Sequence, residues 1–152
     1  MAVRIIIFLI LNFAALAVGG FYSDGGATSQ WYTDLNKAPW TPPGWVFGAA
    51  WTFIMICFAV YMAFAWRISP DRKRLAILYT TQWILNAAWS PVFFKYHLAN
   101  WALAIILALT ALIAYFLFAQ LPKLKGKSAL ILPYFLWLLI ATSLNAYISL
   151  KN

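Results

Sequence analysis

The chain has 152 residues, 65% of them hydrophobic and 9% charged, with a formal net charge of +8. That is too apolar for an ordinary water-soluble domain and fits a membrane protein. There is no Glu, and Asp24, Asp34 and Asp71 all lie between the apolar stretches, which disfavours ion-coupled transport through a buried carboxylate and offers no nucleophile–base pair for a hydrolase.

Five stretches reach the roughly 20 apolar residues that a membrane-crossing helix needs. They lie at 3–22, 45–66, 75–94, 98–119 and 129–150. The predicted fold is all-α: one domain over 1–152, an integral membrane bundle of five transmembrane helices. The first stretch runs past signal-peptide length and carries Asn12, so it is expected to remain as the first helix. Phe8, Asn12, Ala15, Gly19 and Tyr22 share one of its faces, and the small residues suit close packing.

Residues 23–44 form the only long connection. They hold Trp31, Tyr32 and Trp40, which argues against disorder, and they are expected to fold back over the bundle as a lid. Their end reads KAPWTPPGWVFGAAW (37–51). Thr41 is placed to cap the second helix, with Pro42 at its first position. Cys57, the single cysteine, sits in an apolar run and reads as a small buried hydrophobe. Ser69-Pro70-Asp71 separates the second and third helices.

In the third helix Tyr79, Gln82, Asn86, Trp89 and Phe93 recur at spacings of three and four, so they share a face. That stripe suits a ligand groove and interhelical hydrogen bonding equally. Trp83 lies on another face, and Pro91 is expected to bend the last turn. His97, the only histidine, stands between two spans; a haem axial ligand and a plain interfacial residue are the two readings, and its place favours the second. The fourth helix offers Trp101, Ala104 or Ile105, Ala108 and Tyr115, and Pro122 is expected beyond its end. The fifth presents Tyr134, Trp137, Ala141 and Asn145, with Pro133 just over a turn in and expected to tilt it.

Of the cations, eight fall on one side of a five-span topology and Lys37, Lys95 and Lys151 on the other. The positive-inside rule then puts the N-terminus in the cytoplasm and the 23–44 loop on the opposite side. The basic runs DRKR and KLKGK lack a folded platform, so nucleic acid is not an expected partner; membrane lipid is.

Three segments, WYTDLNKAPWTPPGWVFGAAW, YTTQWILNAAWSPVFF and LPYFLWLLIATSLNAY, resemble the translocator protein family, also called tryptophan-rich sensory proteins or peripheral benzodiazepine receptors. Trp83 and the SP of WSPVFF read as a bacterial member, which implies a bacterial inner membrane. The resemblance implies a five-helix bundle, often a homodimer, that binds protoporphyrin IX, haem or other apolar small molecules under the first loop and requires no cofactor. Carried over by motif, the ligand-binding residues are Tyr32, Pro42, Trp51, Asn86, Trp89, Ser90, Trp101, Trp137, Ala141 and Leu144. A receptor or carrier is the leading function. One alternative is a protoporphyrin-degrading enzyme using Trp51 and Trp137; another is a regulatory or structural membrane subunit without a small ligand. The family's small-xxx-small dimer pair is replaced here by Ile77 and Thr81.

Overall fold

The computed structural model describes Met1–Asn152, the whole chain. It is all-helical: α1 (Ala2–Phe21), α2 (Gln30–Asp34), α3 (Gly44–Ile68), α4 (Arg72–Ser90), α5 (Ala99–Leu124) and α6 (Leu132–Lys151). Three helical stretches are long and apolar enough to cross a membrane, Ala2–Thr28, Gly44–Ile68 and Ala99–Lys151. The last contains α5 and α6, which double back on each other so that Thr110 meets Thr142 and Ala99 meets Asn145. The remaining long helix, α4, is more polar because it opens on Arg72-Lys73-Arg74 and carries Gln82 and Asn86.

Each long helix is tied to its neighbours by buried polar bonds, the kind of contact that associates helices in lipid. Asn12 Nδ2 donates to the Met55 carbonyl at 3.0 Å, and the Tyr79 hydroxyl donates to Asn12 Oδ1 at 2.7 Å. One amide thus joins α1, α3 and α4. Tyr61 donates to the Phe116 carbonyl at 2.7 Å, joining α3 to α5. Gln82 Nε2 donates to the Tyr134 hydroxyl at 2.8 Å, joining α4 to α6. Trp83, off the polar stripe, donates from Nε1 to the Leu11 carbonyl at 2.8 Å.

The centre of the bundle is aromatic. Phe58, fully buried, meets Tyr134 at 5.2 Å, Tyr61 and Tyr79 at 6.1 Å, and Phe116 at 6.2 Å between ring centroids. At the far end of α1 the backbone of α4 comes close. A Cβ on Gly19 would lie 3.2 Å from the Ala87 carbonyl oxygen, so the hydrogen side chain sets that approach.

Proline and cap placement differs from the sequence expectation at several helix ends. Thr41 does not cap α3; its hydroxyl donates to the Ala38 carbonyl at 2.7 Å in a local turn. The helix starts two residues later, behind Pro43 in extended backbone, so Pro42 is not its first residue. Pro122 lies inside α5, which continues for two more residues to Leu124. Pro133 sits at the start of α6, after a 3₁₀ stretch Lys125–Ile131, and so kinks nothing. Pro91 opens a π-helical turn, Pro91–Lys95, at the end of α4. Asp71 caps α4, its Oδ1 accepting from the Arg74 N–H at 2.9 Å. Cys57 is free and half-buried rather than fully buried.

The Asn12 junction gives a signed test. Asn12→Leu leaves the Tyr79 hydroxyl and the junction unpaired, and is expected to lower stability in detergent by about 1–3 kcal/mol. Adding Tyr79→Phe removes the orphaned partner, so the double variant should melt at a higher temperature than Asn12→Leu alone. A double variant that melts lower still would show that the junction is not what joins the three helices.

Candidate ligand-binding site

Segment 23–44 is ordered by local chemistry. Asp24, Gly25 and Gly26 all have left-handed backbone, with φ of 51°, 84° and 55°; glycine takes this freely and Asp better than most. They turn the chain after α1. Ser29 caps α2, its Oγ accepting from the Tyr32 N–H at 3.3 Å. Lys37 closes the other end, donating from Nζ to the carbonyls of Tyr32 and Thr33 at 2.9 and 2.8 Å; a cation suits a helix C-terminus.

This segment rests on the end of the bundle through aromatic rings and few polar ties. Trp31 stacks on His97 at 4.2 Å and meets Phe93 edge-on at 5.4 Å. Tyr32 meets Phe94 at 5.3 Å. Trp40 Nε1 donates to Ser143 Oγ at 3.1 Å, and Asn36 and Asn152 exchange two hydrogen bonds. His97 is itself left-handed, with φ of 57°, and reverses the chain between the π turn and α5.

Beneath Tyr32 lies a cavity of about 30 Å³ bounded by Tyr32, Phe47, Trp89, Phe93, Ala141 and Leu144, among others. Four of the residues singled out from sequence, Tyr32, Trp89, Ala141 and Leu144, are therefore brought together. Trp89 and Phe93 stack with centroids 5.2 Å apart and planes 12° off parallel. Phe94 also reaches the cavity, because the π turn inserts an extra residue and brings two successive rings to one side. Burial pushes the Tyr32 phenol above its ordinary pKa, so it faces the cavity as a neutral hydroxyl.

Two further sequence-selected residues do not line the cavity but stand one helical turn from residues that do. Asn86 lies one turn before Trp89, and Trp137 one turn before Ala141. Both are buried, and Asn86 Nδ2 and Trp137 Nε1 have no hydrogen-bond partner. Gln82 Oε1, one turn further along the stripe, is likewise buried and unpaired. Such orphans are uncommon in folded proteins and ask for an explanation. Asn145 is different: it accepts from Trp89 Nε1 at 3.1 Å and donates to the Ala99 carbonyl at 2.9 Å. The polar stripes thus divide. Tyr79 and Asn145 bind helix to helix, Gln82 does so through one of its two amide atoms, and Asn86 and Trp137 hold donors in reserve.

The other selected residues lie elsewhere. Trp51 is half-buried, packs edge-on against Tyr134 at 5.8 Å and does not line the cavity. One turn earlier Phe47 takes the lining position and meets Trp137 at 5.5 Å. Pro42 and Ser90 are half-buried and do not line the cavity. Trp101 is exposed and opens on a separate groove of about 470 Å³ with Trp31 and His97. Phe47, Phe94 and Ile148 were not singled out as cavity residues from sequence. Phe47 carries the one usable signal, its i, i+4 spacing from Trp51.

The profile of the TspO/MBR family matches residues 7–151. A tryptophan-rich sensory protein of Cereibacter sphaeroides is 34% identical over 119 residues, 76% of this chain and 73% of that protein. The tryptophan-rich protein TspO of Archaeoglobus fulgidus is 32% identical over 142 residues, 91% and 92% of the two chains. The human translocator protein is 32% identical over 124 residues, 79% and 73% of the two. The chain belongs to the TspO/MBR family and is an integral membrane protein.

The division of the stripes is measurable without a ligand. Asn145→Leu breaks bonds to two helices and should lower the melting temperature in detergent by several degrees, for a loss of about 1–3 kcal/mol. Asn86→Leu has no bond to lose and removes an unpaired buried donor, so it should leave melting unchanged or raise it. Equal destabilisation by both would make Asn86 part of the helix-joining set.

Proposed function

We propose that this TspO/MBR family member is a membrane receptor or carrier whose five long helices all cross the bilayer and hold a tetrapyrrole such as protoporphyrin IX, or a related flat apolar molecule. In this reading the protein sits in a bacterial inner membrane. Its N-terminus is cytoplasmic, and segment 23–44 forms a lid on the opposite side. The observation that carries the reading is the pair of unpaired buried donors, Asn86 Nδ2 and Trp137 Nε1, beside a cavity walled by parallel rings.

The chemistry suits that ligand class. Flat rings favour stacking on Trp89 and Phe93, worth about 0.5–1.5 kcal/mol beyond burial. Carboxylates or carbonyls would satisfy the two donors, and a pyrrole N–H would satisfy Gln82 Oε1. A tetrapyrrole with acidic side chains carries both kinds of group. No cation lines the cavity, so recognition would rest on stacking and neutral donors rather than on ion pairing.

As it stands the cavity, at about 30 Å³, holds little more than a water molecule. Entry therefore requires the segment bearing Tyr32 to lift away. Its fastenings are mostly aromatic: the Trp31–His97 stack, ring edges on Phe93, Phe94 and Tyr147, and beside them the Trp40–Ser143 bond and the Asn36–Asn152 pair. Their loss on opening is offset by the stacking and hydrogen bonds that a ligand supplies.

Protoporphyrin IX should quench the intrinsic fluorescence of the wild-type protein in detergent with saturation. Asn86→Leu, which keeps every tryptophan, should weaken apparent affinity roughly tenfold, the loss of about 1.4 kcal/mol. Quenching that rises linearly and is identical in the variant would mean partitioning into the micelle and would overturn the proposal. A new tetrapyrrole product formed with turnover, and lost in Trp51→Phe, would transfer the function to degradation.

A further inference from the structure

On the outer surface of the bundle a further groove of about 440 Å³ runs between α1 and α4. Its floor is aromatic: Phe8 is buried against Tyr79 at 5.0 Å and Trp66 at 6.1 Å. Ile7 and Leu11 form one wall and Ala76 and Thr80 the other, with Arg4 at one end. The two helices run parallel, since Asn12 bonds Tyr79 while Gly19 sits against Ala87. Arg4 therefore stands at the same end of the bundle as the exposed Arg72 and Lys73, which open α4.

We propose that this groove seats one acyl chain of an anionic glycerophospholipid, with the lipid phosphate held by Arg4. An apolar trough on a membrane-embedded surface is filled by hydrocarbon, and the charge at its end selects the headgroup. A guanidinium matches a phosphate with two parallel N–H bonds, and a long side chain can lie along apolar surface while its head stays at headgroup depth. Trp66 completes the seat with an indole of the kind that settles at the membrane interface.

The chain has no acid of its own for Arg4. Asp24 and Asp34 belong to the segment beyond the other end of α1, and the Asp71 carboxylate caps α4. A second copy of the chain is a poor occupant. Copies in one membrane share an orientation, so a two-fold contact through this face would set Arg4, Arg72 and Lys73 against their own equivalents. The complement must be an anion carrying an apolar tail.

Native mass spectrometry of the detergent-purified chain tests this with phosphatidylglycerol and phosphatidylcholine of identical acyl chains. Wild type should retain one phosphatidylglycerol at roughly tenfold lower lipid concentration than phosphatidylcholine, and Arg4→Gln should bring the two within about twofold. Arg4→Lys, which keeps the charge, should keep most of the preference and guards against a folding artefact. Equal retention by wild type overturns the proposal. So does a preference that survives Arg4→Gln but vanishes in Arg72→Gln/Lys73→Gln, which would mean general surface attraction. A lipid-free dimer would give the groove to a second copy.

Discussion

Inside hydrocarbon a polar side chain must find its partner in the protein, because no water is there to replace it. That constraint organises the whole structure. Asn12, Tyr61, Tyr79, Tyr134 and Asn145 each answer it by bonding to another helix. Between them they tie the five long helices into one bundle and fix the rotation of each about its axis. Apolar packing alone discriminates weakly when the surrounding lipid is equally apolar. The amides and phenols therefore specify the fold to a degree that their small number would not suggest.

The same constraint marks the candidate site by its violation. Asn86 and Trp137 stand on the faces that elsewhere carry the joining bonds, yet their nitrogen donors are unpaired. Each unmet buried group costs about 1–3 kcal/mol. A bundle selected only for stability would replace Asn86 with Leu. Retaining two such donors next to stacked rings is sensible where a ligand supplies the acceptors. The aromatic floor beneath segment 23–44 fits that role, since Trp89 and Phe93 present parallel faces to the space.

Much of the fold was legible because hydrophobic length and three- and four-residue periodicity survive into the structure with little distortion. The helices at 3–22 and 45–66 begin and end within about two residues of α1 and α3. Helix ends near proline were less legible. Proline removes a donor, but it does not say whether the chain stops, tightens to 3₁₀ or widens to π. Pro122, Pro133 and Pro91 take different outcomes. At the site, the α4 and α6 stripes carry Trp89 and Ala141 to one cavity, which Leu144, selected only through the family resemblance, also lines. Periodicity alone did not separate Asn86 from Asn145, because partner distances decide that and they arise only when α4, α5 and α6 meet. The exchange of Trp51 for Phe47 at the lining has the same origin. Both lie on one face of α3, and the depth at which α6 crosses decides which ring borders the space.

If segment 23–44 is the lid of a ligand site, as proposed, the closed cavity and the unpaired donors would couple ligand to lid. While segment 23–44 lies against Phe93 and Phe94, Asn86 Nδ2 and Trp137 Nε1 are sealed from both water and ligand, and their desolvation is uncompensated. Lifting the segment exposes rings that lipid or water solvates poorly, so the empty open state is unfavourable as well. A flat molecule with acceptor groups removes both penalties at once, by replacing the lost aromatic edges and by pairing the donors. Such a ligand would bind the open form and scarcely the closed one, and only such a difference in affinity can shift the balance between them. A purely apolar molecule would restore the rings and leave the donors unpaired, and therefore shift the balance less. On the proposed function, the polar groups beneath segment 23–44 would set not only how a ligand is oriented but which ligands could hold the bundle open.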